Sequence, residues 1–144
     1  MIYLDASALV KKYFQESGTH RVRQILESAG TCGISKIAYA EMCAAFGRKK
    51  RESRRDAKAI IAAFQSFEQD WGLLTIVEVS DELFPTVRNL TEKHPLRGVD
   101  AIHLASAIWL RKVLRDEVTF VAADRRLLQA AKNERLRIIN PEGG

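Results

Sequence analysis

Four carboxylates fall where an isolated carboxylate is unfavourable in this 144-residue chain: Asp5, Glu41, Asp100 and Asp124. Asp5 follows the apolar run IYL, and Asp124 follows VTFVAA. Both runs read as strands, so both acids lie at strand carboxyl ends, the edge where open parallel sheets bind ligands. Glu41 sits in a helical stretch whose residues three and four positions away, Ile37, Ala38, Ala44 and Ala45, are all apolar. That pattern turns it toward the buried side. Asp100 occupies the first turn of VDAIHLASAIWL, a nearly all-apolar helix, where the helix dipole favours an acid.

A buried carboxylate without a partner is strongly destabilised, so each of these needs a cause. Two like charges ~4 Å apart repel by roughly 4 kcal/mol at an effective dielectric of about 20. A cluster of four raises its own pKa values unless a cation joins it. An all-oxygen donor set suits a hard divalent ion, Mg²⁺ or Mn²⁺. Such an ion can activate water and neutralise charge on a phosphodiester. No Cys/His spacing of the metal-binding kind competes. Each acid also has a local reading. Asp5 can cap the following helix, Asp100 can be a dipole partner, and Asp124, followed by Arg125 and Arg126, can be a surface cap. Glu41 resists such a reading most, and one shared cause covers all four.

The charge is unevenly spread. Residues 48–58, RKKRESRRDAK, hold seven basic and two acidic side chains, a net of +5 that equals the net charge of the whole chain. The remainder balances at sixteen of each sign. A concentrated positive segment is the footprint of a site for an anionic partner, or else a solvated helix end. Arg48, Lys49, Lys50, Arg51, Arg54 and Arg55 are therefore candidate phosphate contacts, and Arg97, three residues before Asp100, is a candidate for contact at the acidic site itself.

The elements that would position these groups alternate. Strands are expected at 2–4, 31–34, 73–79, 118–123 and 137–140. Helices are expected at 6–14, 18–29, from Lys36 into the basic segment, from Ser53 to Gly72, around Leu83–Leu90, at 99–113 and at 125–133. Ser35 is placed to cap the third helix, and Ser53 with Asp56 resembles a capping box that opens the fourth, with Ile60, Ile61, Phe64, Phe67 and Trp71 on its core face. Alternating strands and helices predict an α/β fold, a single domain over 1–144 with a mostly parallel sheet of about five strands and helices on both faces. With 47% hydrophobic residues the chain can bury a core. Cys32 and Cys43 lie in apolar surroundings and read as buried reduced thiols. Neither a signal-peptide pattern nor an apolar run long enough for a membrane span is present, so a cytoplasmic protein with no membrane partner is expected.

At these acids the chain resembles the PIN-domain family, and within it the VapC-type toxins of bacterial and archaeal toxin–antitoxin pairs. The matching segments are IYLDASALVKKY, SKIAYAEMCAAF, LRGVDAIHLASA and FVAADRRLLQAA, in order, with intervals of 36, 59 and 24 residues between the acids. The resemblance implies a Mg²⁺- or Mn²⁺-dependent endoribonuclease, often a homodimer inhibited by a cognate VapB-like antitoxin. Asp5, Glu41 and Asp100 match the family's three core acids, Asp124 a less uniform fourth, and Ser7 a small hydroxyl position beside them. Asp5 and Asp100 are expected as the main metal ligands, with Glu41 and Asp124 completing the charge cage. Many relatives carry Ser or Thr two residues before the fourth acid, where this chain has Ala122. His103, one helical turn from Asp100, is expected to make a structural hydrogen bond. Alternative readings are a non-catalytic RNA- or protein-binding module, a housekeeping nuclease, and a phosphotransfer fold of the dehalogenase or receiver type. The dehalogenase pattern needs an acid where Ser7 stands.

Overall fold

The computed structural model describes residues 1–143, apart from the side chain of Arg55. Strands β1 (Ile2–Leu4), β2 (Cys32–Ser35), β3 (Thr75–Val77), β4 (Thr119–Val121) and β5 (Arg137–Ile139) alternate with seven helices. These are α1 (Ala6–Leu9), α2 (Thr19–Ser28), α3 (Ile37–Glu52), α4 (Ala57–Trp71), α5 (Phe84–Lys93), α6 (Gly98–Leu114) and α7 (Arg125–Asn133). All strand pairs are parallel, in the order β3-β2-β1-β4-β5. The α/β architecture with helices on both faces is as the sequence predicts.

Strand pleating assigns side chains to the two faces. Tyr3, Val77 and Phe120 join residues of α5, α6 and α7 on one side. Leu4, Cys32, Ile34 and Val121 join residues of α1, α2, α3 and α4 on the other. Gly33 is required by a close approach: a Cβ there would stand 2.5 Å from Leu110 Cδ1, so its absence lets α6 lie tightly on the sheet.

Several boundaries differ from the sequence expectation for identifiable reasons. The helix expected over 6–14 tightens after Leu9 into a 3₁₀ turn at Val10–Lys12, closed by Tyr13 N–H donating to the Val10 carbonyl. The capping box at Ser53 does not form. A 3₁₀ turn at Arg54–Asp56 intervenes, and the Asp56 N–H bonds the Ser53 carbonyl rather than its hydroxyl. Gly72 does follow the last residue of α4, but with right-handed backbone (φ −65°). The third strand loses 73–74 because the N–H groups of Leu73 and Leu74 close turns onto Asp70 and Trp71. Ile61, expected on the core face of α4, is exposed, whereas Ile60 and Phe67 are buried. Ser35 does cap α3 in part, its hydroxyl accepting the Ile37 N–H at 3.3 Å.

Lys11 is 4% exposed and lies between two carboxylates, Glu16 at 3.2 Å and Glu142 at 2.7 Å. It fastens the C-terminal segment to the start of α2, where Gly18 (φ +91°) packs on Pro141. Lys11→Met keeps the stem and removes the ammonium. It is expected to cost roughly 1–2 kcal/mol, read from urea unfolding at pH 7. An unchanged midpoint would show that the ammonium does not hold the tail. Cys32 and Cys43 are free thiols, Cys32 buried and Cys43 partly so. Among the described residues no helix is long and apolar enough to cross a membrane.

Candidate active site

The chain runs outward from β1 to β2 and β3, then returns to add β4 and β5 on the other side of β1. The strand order therefore reverses between β1 and β4, and the carboxyl ends flanking such a reversal form a crevice. Asp5 and Asp124 stand there. Asp5 leaves β1 with its N–H on the Val121 carbonyl (3.2 Å), and its carboxylate accepts the Ala8 N–H (3.0 Å), capping α1. The Ser7 hydroxyl lies 2.7 and 2.8 Å from the two Asp5 oxygens and accepts the Ala123 N–H at 3.3 Å. Ser7 thus ties the acid after β1 to the exit of β4. Ala122, where a hydroxyl was expected from relatives, is completely buried in the core.

Asp5 is 4% exposed. Burial pushes its carboxyl up from 3.8 to about 6; His103, Ser7 and the Ala8 N–H oppose the shift, and the charge of Glu41 adds to it. Asp100, on the first turn of α6, is 8% exposed. Its oxygens accept from Arg97 Nε (3.0 Å) and Nη2 (3.4 Å). The Arg97 pKa is raised, first by the hydrogen bond to Asp100, with the charges of Asp124 and Glu41 also contributing. Arg97 therefore lies in the common field of three of the acids. Asp124 caps α7, accepting the Leu127 N–H at 3.0 Å.

Glu41 departs from the sequence expectation. It is not buried: its side chain is 34% exposed. Its apolar neighbours Ile37 and Ala44 are themselves partly or fully exposed, so they do not close over the carboxylate. Asp5 and Asp100 are the two buried acids.

His103 reaches the site. Its Nε2 is 2.6 Å from Glu41 Oε1 and its Nδ1 is 2.8 Å from the Tyr3 hydroxyl. Tyr3 was not visible as a site residue, because a strand tyrosine reads as core. The spacing of His103 from Asp100 was the available signal for the histidine.

The basic segment is more dispersed than its sequence suggests. Arg48 is two turns beyond Glu41 on the same stripe of α3, about 10 Å along the axis. Lys49 Nζ stands over the Phe14 ring at 5.4 Å. Lys50 borders an apolar groove with Phe46, Ile60 and Ile61 between α3 and α4. Arg51 and Arg54 are exposed, and the Arg55 side chain lies outside the described residues. Among the described residues, no three His, Cys, Asp or Glu side chains converge as a ready metal cage. Asp5 and Asp124 follow β1 and β4, Glu41 acts on Asp5, and Arg97 pairs with Asp100 within the field of Asp124 and Glu41.

Comparison with known proteins places the sequence and the fold. The sequence model of the PIN domain matches residues 2–137. Ribonuclease VapC45 of Mycobacterium tuberculosis is 31% identical over 108 residues, covering 75% of each chain. Ribonuclease VapC46 of the same organism is 29% identical over 140 residues, covering 97% of each. Among solved structures, a toxin–antitoxin complex from Klebsiella pneumoniae aligns over 100% of both chains, with a TM-score of 0.68 and 16% identity, a likeness of fold. With a family match across nearly its whole length and a curated relative above 30% identity, the chain belongs to the PIN-domain family.

Proposed function

We propose that this chain is a metal-dependent endoribonuclease that hydrolyses RNA phosphodiester bonds as the cytoplasmic toxin of a VapBC-type toxin–antitoxin pair. The observation that carries the reading is Asp5, a buried carboxylate at the sheet's reversal point whose pKa is raised to about 6 by burial, with the charge of Glu41 adding to the shift. Relatives named as ribonucleases and a structural neighbour from a toxin–antitoxin complex support it. A VapB-like antitoxin and a second copy of the chain are its proposed protein partners.

The donor chemistry fits a hard divalent cation, Mg²⁺ or Mn²⁺: the acids offer oxygen only, and burial leaves the Asp5 carboxylate short of positive charge. Asp5 and Asp100 would hold the ion most directly, with Glu41 and Asp124 completing the negative surround. When bound, such an ion supplies an activated water and a counter-charge for the phosphodiester. The chain's own groups prepare this site. Ser7 and the Ala8 N–H fix the Asp5 carboxylate. Arg97, exposed over most of its side chain, can exchange Asp100 for a phosphate oxygen, because such an ion pair contributes little to stability. Arg48 extends the phosphate path along α3.

Two results test this. Incubation of RNA with the purified protein and Mg²⁺ is expected to give cleavage at a restricted set of positions, with 5′-phosphate ends by end mapping. Arg48→Ala is expected to weaken RNA binding and to reduce the slope of log K against log salt by about 0.7, one phosphate contact on a single strand. An unchanged slope would remove Arg48 from the RNA path.

One observation favours a second reading, a binding module that keeps the fold: the acids do not converge as placed and Arg97 is paired with Asp100. Failure to bind Mn²⁺ in the low-millimolar range would support that reading.

A further inference from the structure

Three buried groups lead from the end of β2 to Glu41. The Ser35 N–H donates to the Tyr3 hydroxyl oxygen at 3.1 Å. A backbone amide can only donate, so the phenol accepts there; its hydroxyl also meets His103 Nδ1 at 2.8 Å, a contact its remaining lone pair and its proton allow in either direction. An ionised Glu41 can only accept, so His103 Nε2 donates to its Oε1 at 2.6 Å, and whenever the imidazole is neutral its Nδ1 must then accept from the Tyr3 hydroxyl. The directions follow from the two ends, an amide that only donates and a carboxylate that only accepts, with a neutral imidazole between them. The rings are held as well: Tyr3 stacks on Phe120 with centroids 5.4 Å apart and meets His103 edge-on at 6.0 Å. Tyr3 and His103 are buried, whereas the carboxylate they reach is partly open to the crevice. Oε2 of Glu41 has no hydrogen-bond partner among the described residues.

Burial alone demands partners for a tyrosine and a histidine. It does not demand that the last partner be a half-exposed acid at the sheet edge, nor that the chain span β1, α6 and α3 within a turn of Asp100. We infer that His103 is a positioning residue for Glu41. The Tyr3 hydroxyl fixes the imidazole tautomer, and the imidazole holds one oxygen of Glu41 so that the other is presented to the crevice. The inference rests on Glu41 belonging to the proposed metal-dependent centre.

The test is Mn²⁺ titration calorimetry on the full chain without RNA, together with kcat and KM for RNA cleavage. Tyr3→Phe keeps the ring packing and removes only the hydroxyl. Mn²⁺ affinity and kcat are each expected to fall about tenfold, the usual effect of losing the group behind a ligand, with KM unchanged. His103→Gln offers an amide donor near the position of Nε2 and has no tautomer to fix. In that background the further change Tyr3→Phe is expected to leave Mn²⁺ affinity unaltered, so the two effects are not additive. A merely structural role would lower the melting temperature in both backgrounds and leave Mn²⁺ affinity where it was. Equal Mn²⁺ affinity and kcat in wild type and Tyr3→Phe would overturn the inference. If Asp5→Asn abolishes Mn²⁺ binding while Tyr3→Phe matches wild type, only the positioning role fails. If Asp5→Asn also binds Mn²⁺ as wild type does, the reading of the centre fails and takes this inference with it.

Discussion

Asp5→Asn is expected to reduce RNA cleavage by on the order of a thousandfold and, in metal-free buffer at pH 7, to make the protein more stable. The two effects share one cause. Asp5 is buried, and burial raises its carboxyl to about 6 from 3.8. The folded chain therefore holds this proton more tightly than the unfolded chain does. The contribution of Asp5 to stability falls as pH rises from about 4 through 6 and is flat above that. Asparagine removes the charge while its carbonyl oxygen can still accept the Ala8 N–H. The gain at pH 7 to 8 is at most about 3 kcal/mol, and it should vanish near pH 3.5, as followed by urea unfolding across pH. A variant that is less stable at pH 7 would show that the Asp5 charge is already compensated by the protein alone. A variant that cleaves normally would remove Asp5 from the chemistry.

Removing divalent cations should be as severe for activity as removing Asp5. Among the described residues, Arg97 pairs with Asp100 and His103 bonds Glu41, which leaves Asp5 and Asp124 with no Lys, Arg or His in an ion pair. An RNA phosphate approaching the uncompensated edge meets like charge, so cleavage in excess chelator is expected to fall by about a thousandfold or more and to return when Mg²⁺ or Mn²⁺ is restored. The same ion should stabilise the fold by linkage, about 2.7 kcal/mol at a hundred times its dissociation constant. Differential scanning fluorimetry with and without Mn²⁺ reads this as a rise in melting temperature, absent or much reduced in Asp5→Asn. Undiminished cleavage in chelator would mean that the acids work without a metal.

The sequence was legible where one residue type has one use. Short apolar runs marked the strands, and the acids at the ends of β1 and β4 marked the crevice before the strand order was known. It was less legible where the outcome depended on packing from elsewhere. Apolar neighbours placed Glu41 inside, but Ile37 and Ala44 are exposed to differing degrees, and the partner that does meet the acid, His103, comes from a distant helix. Tyr3 looks like any core strand aromatic; its hydroxyl gains meaning because His103, a hundred residues later, is brought beside it. Ser53 and Asp56 carried the signature of a capping box, yet a backbone 3₁₀ bond satisfied the same donor. The basic run looked like one electrostatic site. The helical period of α3 turns Arg48 along the Glu41 stripe, Lys49 over an aromatic ring and Lys50 toward a separate groove.

The central claim is that these acids jointly hold a divalent cation, and it is met most directly by titrating Mn²⁺ into wild type and Asp5→Asn by calorimetry without RNA. Binding by the wild type, weakened at least about tenfold in the variant, is the expected result. Equal affinity in the two proteins, or no binding by the wild type, would contradict it.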